Sequence, residues 1–162
     1  MSFSDKIKTI HLASDHAGFE HKEAVREGLL QSGYTVVDHG AKIYEALDDF
    51  PDFIRLAAAA VSSASEDTYG IIFGGSGQGE ATLANRFPNV RATVFYGGEL
   101  EIIRLSRAHN DANILSIGAR FVTIEETQTC IEIWLATPVL NDEKYRRRNQ
   151  KIETITRQIH SL

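Results

Sequence analysis

The segment Tyr69-Gly-Ile-Ile-Phe-Gly-Gly-Ser-Gly-Gln-Gly-Glu80 joins a short apolar run to a glycine-rich turn that ends on a carboxylate. The apolar run predicts a buried strand, and the turn after it predicts the connection from that strand to a helix. We call residues 74–80 the glycine loop; its glycines are Gly74, Gly75, Gly77 and Gly79. Because glycine has no Cβ atom, this backbone can adopt left-handed conformations and bring several N–H groups close to an anion. Ser76 adds a hydroxyl group, and Glu80 adds a candidate base.

Two common phosphate-binding motifs do not match the glycine loop. A P-loop ends in Gly-Lys-Ser or Gly-Lys-Thr, whereas this loop ends in Gly79-Glu80-Ala81. A dinucleotide fingerprint requires a glycine at position 80 and normally lies in the first strand-to-helix turn. The alternative is a turn without a ligand, in which Glu80 only stabilises the start of the helix. Four glycines in six positions are more than a turn requires, so the pattern favours a binding loop.

The composition restricts the class of protein. At 162 residues, of which 43% are hydrophobic, the chain is long enough for one compact domain. The formal net charge of -5 argues against a nucleic-acid-binding protein, because such domains are usually basic overall. The single cysteine, Cys130, excludes an intramolecular disulfide, and its amphipathic surroundings predict a buried, inert thiol. Since there is no signal-peptide pattern and no apolar run near the roughly 20 residues that span a bilayer, we expect a cytoplasmic protein without membrane contact.

Apolar runs alternate with helix-like periodic segments along the chain. The predicted strands are residues 7–13, 34–37, 69–73, 91–96 and 113–117. The predicted helices are residues 20–31, 51–62, 80–85, 99–108, 125–136 and about 142–160. Thr123 with Glu126 predicts a capping box, and Gly33 predicts a helix stop. The alternation predicts an α/β fold, a Rossmann-like three-layer α/β/α arrangement with about five parallel strands, in a single domain over residues 1–162.

In such a sheet a ligand binds at the carboxyl ends of the strands. Ser14-Asp15-His16 follows the first predicted strand, the glycine loop follows the third, and Gly118-Ala-Arg120 follows the fifth. We therefore expect these residues to line one crevice. Arg107-Ala-His109-Asn110-Asp111 closes the fourth helix instead, so its place depends on how that helix ends or on a neighbouring subunit.

Each of these polar groups also has a structural interpretation. Asp15-His16 is either a catalytic pair or an Asx turn followed by a surface histidine. His109-Asn110-Asp111 is either functional or a loop that terminates a helix. No metal site is predicted, because the sequence has no HxH, HExxH or CxxC motif, and no cofactor is expected.

The last predicted helix combines a basic cluster with an apolar stripe. Arg147 and Lys151 are four residues apart, so both can reach one bound anion. Ile152, Ile155 and Ile159 are spaced to face the core. A solvated basic face is the alternative interpretation of the charges.

Six motifs occur in order along the chain: Asp15-His16-Ala-Gly-Phe, Asp49-Phe-Pro51, the glycine loop, Ala84-Asn85-Arg86, Arg107-Ala-His109-Asn110-Asp111 and Gly118-Ala-Arg120. Together they resemble the type B ribose-5-phosphate isomerases, part of a broader family that includes galactose-6-phosphate isomerase subunits. The resemblance implies a Rossmann-like, metal-independent enzyme that isomerises ribose 5-phosphate to ribulose 5-phosphate. The alternatives are an isomerase for allose, galactose or tetrose phosphate, or a sugar-phosphate-binding subunit without catalysis.

Many members of this family use a cysteine at the start of the loop as the base, and Gly74 stands in its place here. A second subgroup, represented among mycobacterial enzymes, has Gly-Gly-Ser-Gly and a later glutamate as base, which this chain matches through Glu80. Two positions differ from the common pattern. Phe50 stands where tyrosine is frequent, and Lys151 stands where an arginine usually helps to bind phosphate. Lysine keeps the charge but loses the bidentate fork, so either difference is compatible with another sugar phosphate.

The resemblance also implies a mechanism and an assembly. His109, assisted by Asp15, opens the sugar ring, and Glu80 moves a proton between C1 and C2 through a cis-enediolate that the loop N–H groups and Ser76 stabilise. The implied substrate-binding residues are His16, Gly74, Gly75, Gly77, Gly79, Asn110, Arg120, Arg147 and Lys151. A homodimer, or a tetramer built from it, is implied, with active sites shared between subunits. The sequence leaves open whether the helix dipole lowers the pKa of Glu80 or closure around substrate raises it.

Overall fold

Five parallel strands form the central sheet of the computed structural model, which describes residues 9–64 and 67–162. They are β1 (Thr9–Ser14), β2 (Thr35–Asp38), β3 (Thr68–Gly74), β4 (Ala92–Phe95) and β5 (Ile114–Gly118). Their order across the sheet is β2-β1-β3-β5-β4, and every neighbouring pair is parallel. The predicted five-stranded parallel sheet is therefore confirmed. The first two residues of the predicted strand 7–13 lie outside the described residues.

The described residues also form six helices and one 3-10 turn; α5 and α6 follow the last strand. The helices are α1 (Phe19–Gln31), α2 (Phe50–Ser63), α3 (Gln78–Ala84), α4 (Leu100–Ala108), α5 (Ile124–Ala136) and α6 (Glu143–His160), and the 3-10 turn is His16–Gly18. Helix α3 begins two residues before the predicted start, which places Glu80 inside its first turn. Among the described residues, no helix combines the length and apolar character needed to cross a membrane.

The strands alternate their side chains between two apolar layers, because successive residues of a strand point to opposite faces. On one face, Ile10, Leu12 and Phe73 pack with residues of α1, α4 and α5, including the fully buried Trp134. On the other face, Ile72 and other strand residues pack against α2 and α3. Helices on both faces of a parallel sheet confirm the three-layer α/β/α arrangement.

Local signals fixed two helix ends as the sequence predicted. At the end of α1, Gly33 has φ +86°, and the N–H of Tyr34 donates to the carbonyl of Leu29 at 3.1 Å, the pattern of a Schellman cap. At the start of α5, Thr123 and Glu126 form the predicted capping box.

Helix α6 departs from the sequence prediction. Ile152, Ile155 and Ile159 were expected to face the core, but they are 46%, 54% and 62% exposed. None of the 18 residues of α6, all of which the structure describes, is buried. Among the described residues, the two core clusters on the faces of the sheet include residues of α1 to α5 but none of α6, so α6 does not take part in the core.

Candidate active site

The carboxyl ends of β1, β3 and β5 meet at one edge of the sheet, as the sequence predicted. The N–H of Ala119 donates to the carbonyl of Gly74 at 2.9 Å, and the N–H of Arg120 donates to the carbonyl of Gly75 at 3.1 Å. These bonds tie the segment after β5 to the glycine loop after β3. Asp15 follows β1 on the other side of β3. We call Asp15, His16, the glycine loop and Arg120 the carboxyl-edge group.

Close packing explains most of the glycines in the loop. Of the four loop glycines, all within the described residues, only Gly77 has a positive φ, +76°, so the expectation of several left-handed positions is corrected to one. A Cβ atom on Gly77 would also lie 3.0 Å from the backbone N of Gly118. Gly79 instead lies against Phe50, whose ring would be 3.0 Å from an added Cβ. These contacts leave room for hydrogen only.

The most informative contact in the loop joins its two ends. A Cβ atom on Gly74 would overlap the carboxyl group of Glu80, so the Glu80 carboxylate occupies the space over Gly74. Glu80 is only 4% exposed. The structure therefore holds a carboxylate where a side chain at the last residue of β3 would lie.

Burial raises the pKa of Glu80 above its ordinary value. A hydrogen bond to the backbone N–H of Glu80 itself acts in the opposite direction, and the negative charge of Asp15 raises the pKa further. The sequence left open whether the pKa of Glu80 is lowered or raised. In the chain without substrate it is already raised. A carboxyl group shifted toward neutral pH is better matched to accepting and returning a proton.

The structure contains the Asx turn that the sequence allowed at Asp15, and it also places the Asp15 side chain near Glu80. Its Oδ1 accepts a hydrogen bond from the N–H of Ala17 at 2.9 Å, which is an Asx turn that begins the 3-10 turn. Its side chain is also buried, and it is close enough to Glu80 to influence the pKa of that residue. The turn thus places a second carboxylate beside the candidate base.

His16 is oriented by Asp48, a residue that the sequence analysis did not single out. Oδ1 of Asp48 lies 2.7 Å from Nδ1 of His16 and also accepts the backbone N–H of His16 at 2.9 Å. Oδ2 of Asp15 is 3.8 Å from the same Nδ1. The three side chains bring potential cation ligands within 4.8 Å of one another, but their hydrogen bonds already engage Nδ1 of His16 and Oδ1 of both carboxylates. The only available sequence signal was the position of Asp48 directly before Asp49-Phe-Pro51.

A cation and a hydroxyl group complete the carboxyl-edge group. The guanidinium group of Arg120 lies against Gly75, where its Nη1 would be 3.2 Å from an added Cβ, and its side chain is otherwise exposed. Oγ of Ser76 accepts a hydrogen bond from the N–H of Gln78 at 3.3 Å. Backbone N–H groups, a histidine and an arginine around one loop form a site suited to an anionic ligand.

The remaining predicted site residues lie at the opposite edge of the sheet. His109 ends α4 and precedes β5, whereas the carboxyl-edge group follows the ends of the strands. The four residue steps of β5 alone separate the two edges by about 13 Å, at about 3.3 Å per residue. A single chain therefore does not bring His109 to Asp15 or Glu80, and the pairing of His109 with Asp15 implied by the resemblance does not occur within one chain.

We call His109, Asn110, Arg147 and Lys151 the amino-edge group. The ring of His109 stacks on Tyr145 with 4.0 Å between centroids and 13° between planes. The side-chain amide of Asn149 donates to the carbonyl of His109 at 3.1 Å. These contacts place α6, and with it Arg147 and Lys151, beside the His109 loop. Asn110, Arg147 and Lys151 are exposed.

The structure also describes the surroundings of Cys130 and Arg147. The predicted buried position of Cys130 is confirmed, and burial raises the pKa of its thiol to about 12. In this chain Nη1 of Arg147 donates to Oε2 of Glu143 at 2.6 Å. This pair is exposed, so it competes only weakly with an anionic ligand.

Comparison with known proteins identifies the class of protein that this fold and site define. A family model described as Ribose/Galactose Isomerase matches residues 10–152. The chain is 39% identical to ribose-5-phosphate isomerase B of Mycolicibacterium paratuberculosis over 139 residues, which cover 86% of each protein. It is 33% identical to ribose-5-phosphate isomerase B of Escherichia coli over 150 residues, which cover 93% of this chain and 95% of the other.

A solved structure agrees with both the sequence and the fold. The crystal structure of ribose-5-phosphate isomerase B from Mycoplasma genitalium with bound ribulose-5-phosphate superposes with a TM-score of 0.86 at 32% identity. The match covers 92% of this chain and 96% of that one. The chain therefore belongs to the ribose/galactose isomerase family, which confirms the family resemblance.

Proposed function

We propose that the protein is a type B ribose-5-phosphate isomerase, which interconverts ribose 5-phosphate and ribulose 5-phosphate. Membership of the family and the names of its relatives support the substrate. One structural observation supports isomerase chemistry in particular. The carboxylate of Glu80 is buried over Gly74, beside backbone N–H groups that suit an anion.

Glu80 is the base that moves the carbon-bound proton. In the open-chain aldose it removes the proton from C2, which leaves a cis-enediolate; the hydroxyl proton then passes from O2 to O1, and Glu80 returns its proton to C1 to give the ketose. The raised pKa of Glu80 suits a group that must both accept and return a proton. Loop N–H groups and the Ser76 hydroxyl stabilise the negative oxygen of the enediolate, at up to about 3 kcal/mol per donor.

The chain belongs to the subgroup of the family that uses a glutamate as base. Gly74 has no side chain that could act on substrate, and the Glu80 carboxylate fills the space that a side chain there would take. A base can therefore reach the same place from position 74, at the end of β3, or from position 80, in the first turn of α3.

The amino-edge group of one subunit completes the site of its partner. His109 opens the ring, and Asn110, Arg147 and Lys151 bind the substrate together with His16 and Arg120 of the first subunit. Two observations support a homodimer. The two groups lie at opposite edges of each chain, and the same helix that carries Arg147 exposes the apolar stripe of Ile152, Ile155 and Ile159. A two-fold axis would close two identical sites and cover this stripe.

The position of Phe50 allows a second substrate to be considered. Phe50, which stands where tyrosine is frequent in the family, packs directly on Gly79 of the glycine loop. The absence of a tyrosine hydroxyl group at this place is compatible with a different sugar phosphate, such as allose, galactose or tetrose phosphate, as the second candidate.

A coupled isomerase assay across ribose, allose, galactose and tetrose phosphates tests the proposal. We expect the largest kcat/KM for ribose 5-phosphate, with no added metal. A larger kcat/KM for a six-carbon phosphate would favour the second candidate, and no turnover of any of them by folded protein would contradict isomerase function.

A further inference from the structure

The amino-edge group depends on contacts that are few and polar. Helix α6 carries Arg147 and Lys151, yet it buries none of its residues among the described chain. It meets the loop before β5 through the stack of Tyr145 on His109 and the bond from Asn149 to the carbonyl of His109. Neither contact fixes the helix along its whole length. A third contact lies further along α6 at Glu153, whose Oε2 also accepts the backbone N–H of Asn89 at 3.1 Å.

Arg91 supplies this third contact and joins both parts of the amino-edge group. Its Nε donates to the carbonyl of Asp111 at 2.8 Å, and its Nη2 donates to Oδ2 of Asp111 at 3.1 Å. Its Nη1 donates to Oε1 of Glu153 on α6 at 2.7 Å. The side chains of Arg91 and Glu153 are 19% and 18% exposed, so the ion pair between them is shielded from solvent better than a surface pair, whereas Asp111 is 40% exposed. One guanidinium group thus links the His109 loop to α6.

The loop that carries His109 and Asn110 needs such support. Asp111 has φ +48°, a left-handed conformation that is unfavourable for residues other than glycine. Arg107 also binds its carboxylate, with Nη1 2.9 Å from Oδ1, but Arg107 is buried against Tyr69 and therefore belongs to the core as well. Arg91 is the arginine whose contacts serve the loop and α6 without filling the core.

We propose that Arg91 is a positioning residue for the amino-edge group, holding the His109 loop and the cations of α6 in one fixed arrangement. The inference rests on the proposed function, because it assigns Arg91 a role in a site that two subunits share. Arg91 does not touch the carboxyl-edge group, since it lies at the amino end of β4. Lysine cannot replace it, because a single ammonium group lacks the planar fork that reaches Asp111 and Glu153 together.

Two measurements on Arg91→Ala and Arg91→Lys test the local effect. We expect KM for ribose 5-phosphate to rise and kcat to fall about 10-fold or more in both variants, because phosphate binding and ring opening are disturbed together. Hydrogen exchange should become faster in α6 and in residues 109–113 and stay unchanged in β1 and β3. Arg55→Ala, at an exposed arginine on α2, is the matched control and should match the unmodified protein in both measurements. Unchanged exchange in α6 would overturn the proposal.

Mixing variants separates positioning from a general folding defect. In a mixed dimer of Arg91→Ala with Glu80→Gln, one site combines the intact Glu80 of the first chain with the intact amino-edge group of the second. Random exchange should therefore restore about a quarter of full activity, since half of the dimers are mixed and each has one intact site. Arg91→Ala mixed with Arg147→Ala should restore none, because both changes damage the same half of the site.

A third mixture distinguishes failure of the shared active site from failure of the positioning role of Arg91. Glu80→Gln mixed with Arg147→Ala tests the shared site alone. Recovery there without recovery in the Arg91→Ala mixture would overturn the positioning role of Arg91 and leave the shared site intact. If neither mixture recovers after verified subunit exchange, the shared site fails, and hydrogen exchange in α6 still decides whether Arg91 holds the helix.

Discussion

The carboxylate of Glu80 occupies the space in which a side chain on Gly74 would lie. The two residues are therefore interdependent: the glycine permits the buried carboxylate, and the carboxylate fills the space that the glycine leaves. Burial in this place raises the pKa of Glu80, as a proton-transferring group requires. Any side chain at position 74 must push the Glu80 carboxylate away from its present place.

Gly74→Ala should abolish most activity without unfolding the protein. The atoms that an added methyl group would meet belong to the end of the Glu80 side chain, which can move, so the fold should survive. We expect kcat to fall by about 100-fold, the typical contribution of a general base. Gly28→Ala in α1 is the matched control, because its added Cβ meets only Nε2 of Gln128 at 4.0 Å; it should keep full activity and gain up to about 1 kcal/mol of stability. Full activity in Gly74→Ala would contradict the displacement of Glu80.

Asp48→Asn should weaken binding of the anionic substrate through His16. Asparagine can still accept the backbone N–H of His16, but it removes the negative charge that holds Nδ1. We expect KM to rise by about 10-fold with kcat largely kept, because a charge-assisted hydrogen bond contributes about 1.5–3 kcal/mol. Asp48→Ala should raise KM further, and inhibition by inorganic phosphate should weaken in the same order. A selective loss of kcat in Asp48→Asn would show that Asp48 acts on the chemical step instead.

His109→Ala should separate ring opening from carbon proton transfer. The variant should react slowly with ribose 5-phosphate, which is mainly cyclic, and should be spared on a tetrose 4-phosphate, which cannot close a comparable ring. The comparison of kcat/KM for the two substrates in the variant and the unmodified protein measures this difference. Equal losses on both substrates would argue that His109 serves another step.

The stability of the fold should fall in mild acid because of a histidine pair. Nδ1 of His11 lies 2.8 Å from Nε2 of His39, and burial lowers the pKa of both residues. A histidine whose pKa is lower in the folded state binds more protons when unfolded, so its stabilising contribution is full above about pH 6.5 and is lost as the pH falls below that value. Urea unfolding at pH 8 and pH 5 should show a smaller loss of free energy for His39→Gln than for the unmodified protein. An equal loss in both proteins would exclude the pair as a source.

The sheet and the glycine loop could be predicted from the sequence because they depend on local signals. Buried parallel strands appear as short apolar runs, and a loop that packs closely against Phe50 and Gly118 needs glycine, which the sequence shows directly. The contact between Glu80 and Gly74 could not be predicted, since it depends on the direction of one side chain from the first turn of α3. Asp48 was missed for a similar reason: an acidic residue before a helix looks like an ordinary helix-start residue.

The amino-edge group shows a different limit of sequence reasoning. The period of Ile152, Ile155 and Ile159 correctly predicted an apolar stripe, but periodicity does not say what covers it. In one chain the stripe faces outward. The proposed homodimer would give the same stripe a partner surface.

The most direct test of the account is the turnover of Glu80→Gln in deuterated water. Glutamine keeps the size of the side chain and removes its basicity. We predict that the unmodified protein converts ribose 5-phosphate to ribulose 5-phosphate with deuterium entering at C1, and that Glu80→Gln loses both turnover and deuterium incorporation by at least about 100-fold while substrate binding is largely kept. Near-normal turnover or deuterium incorporation in Glu80→Gln would contradict the assignment of Glu80 as the base.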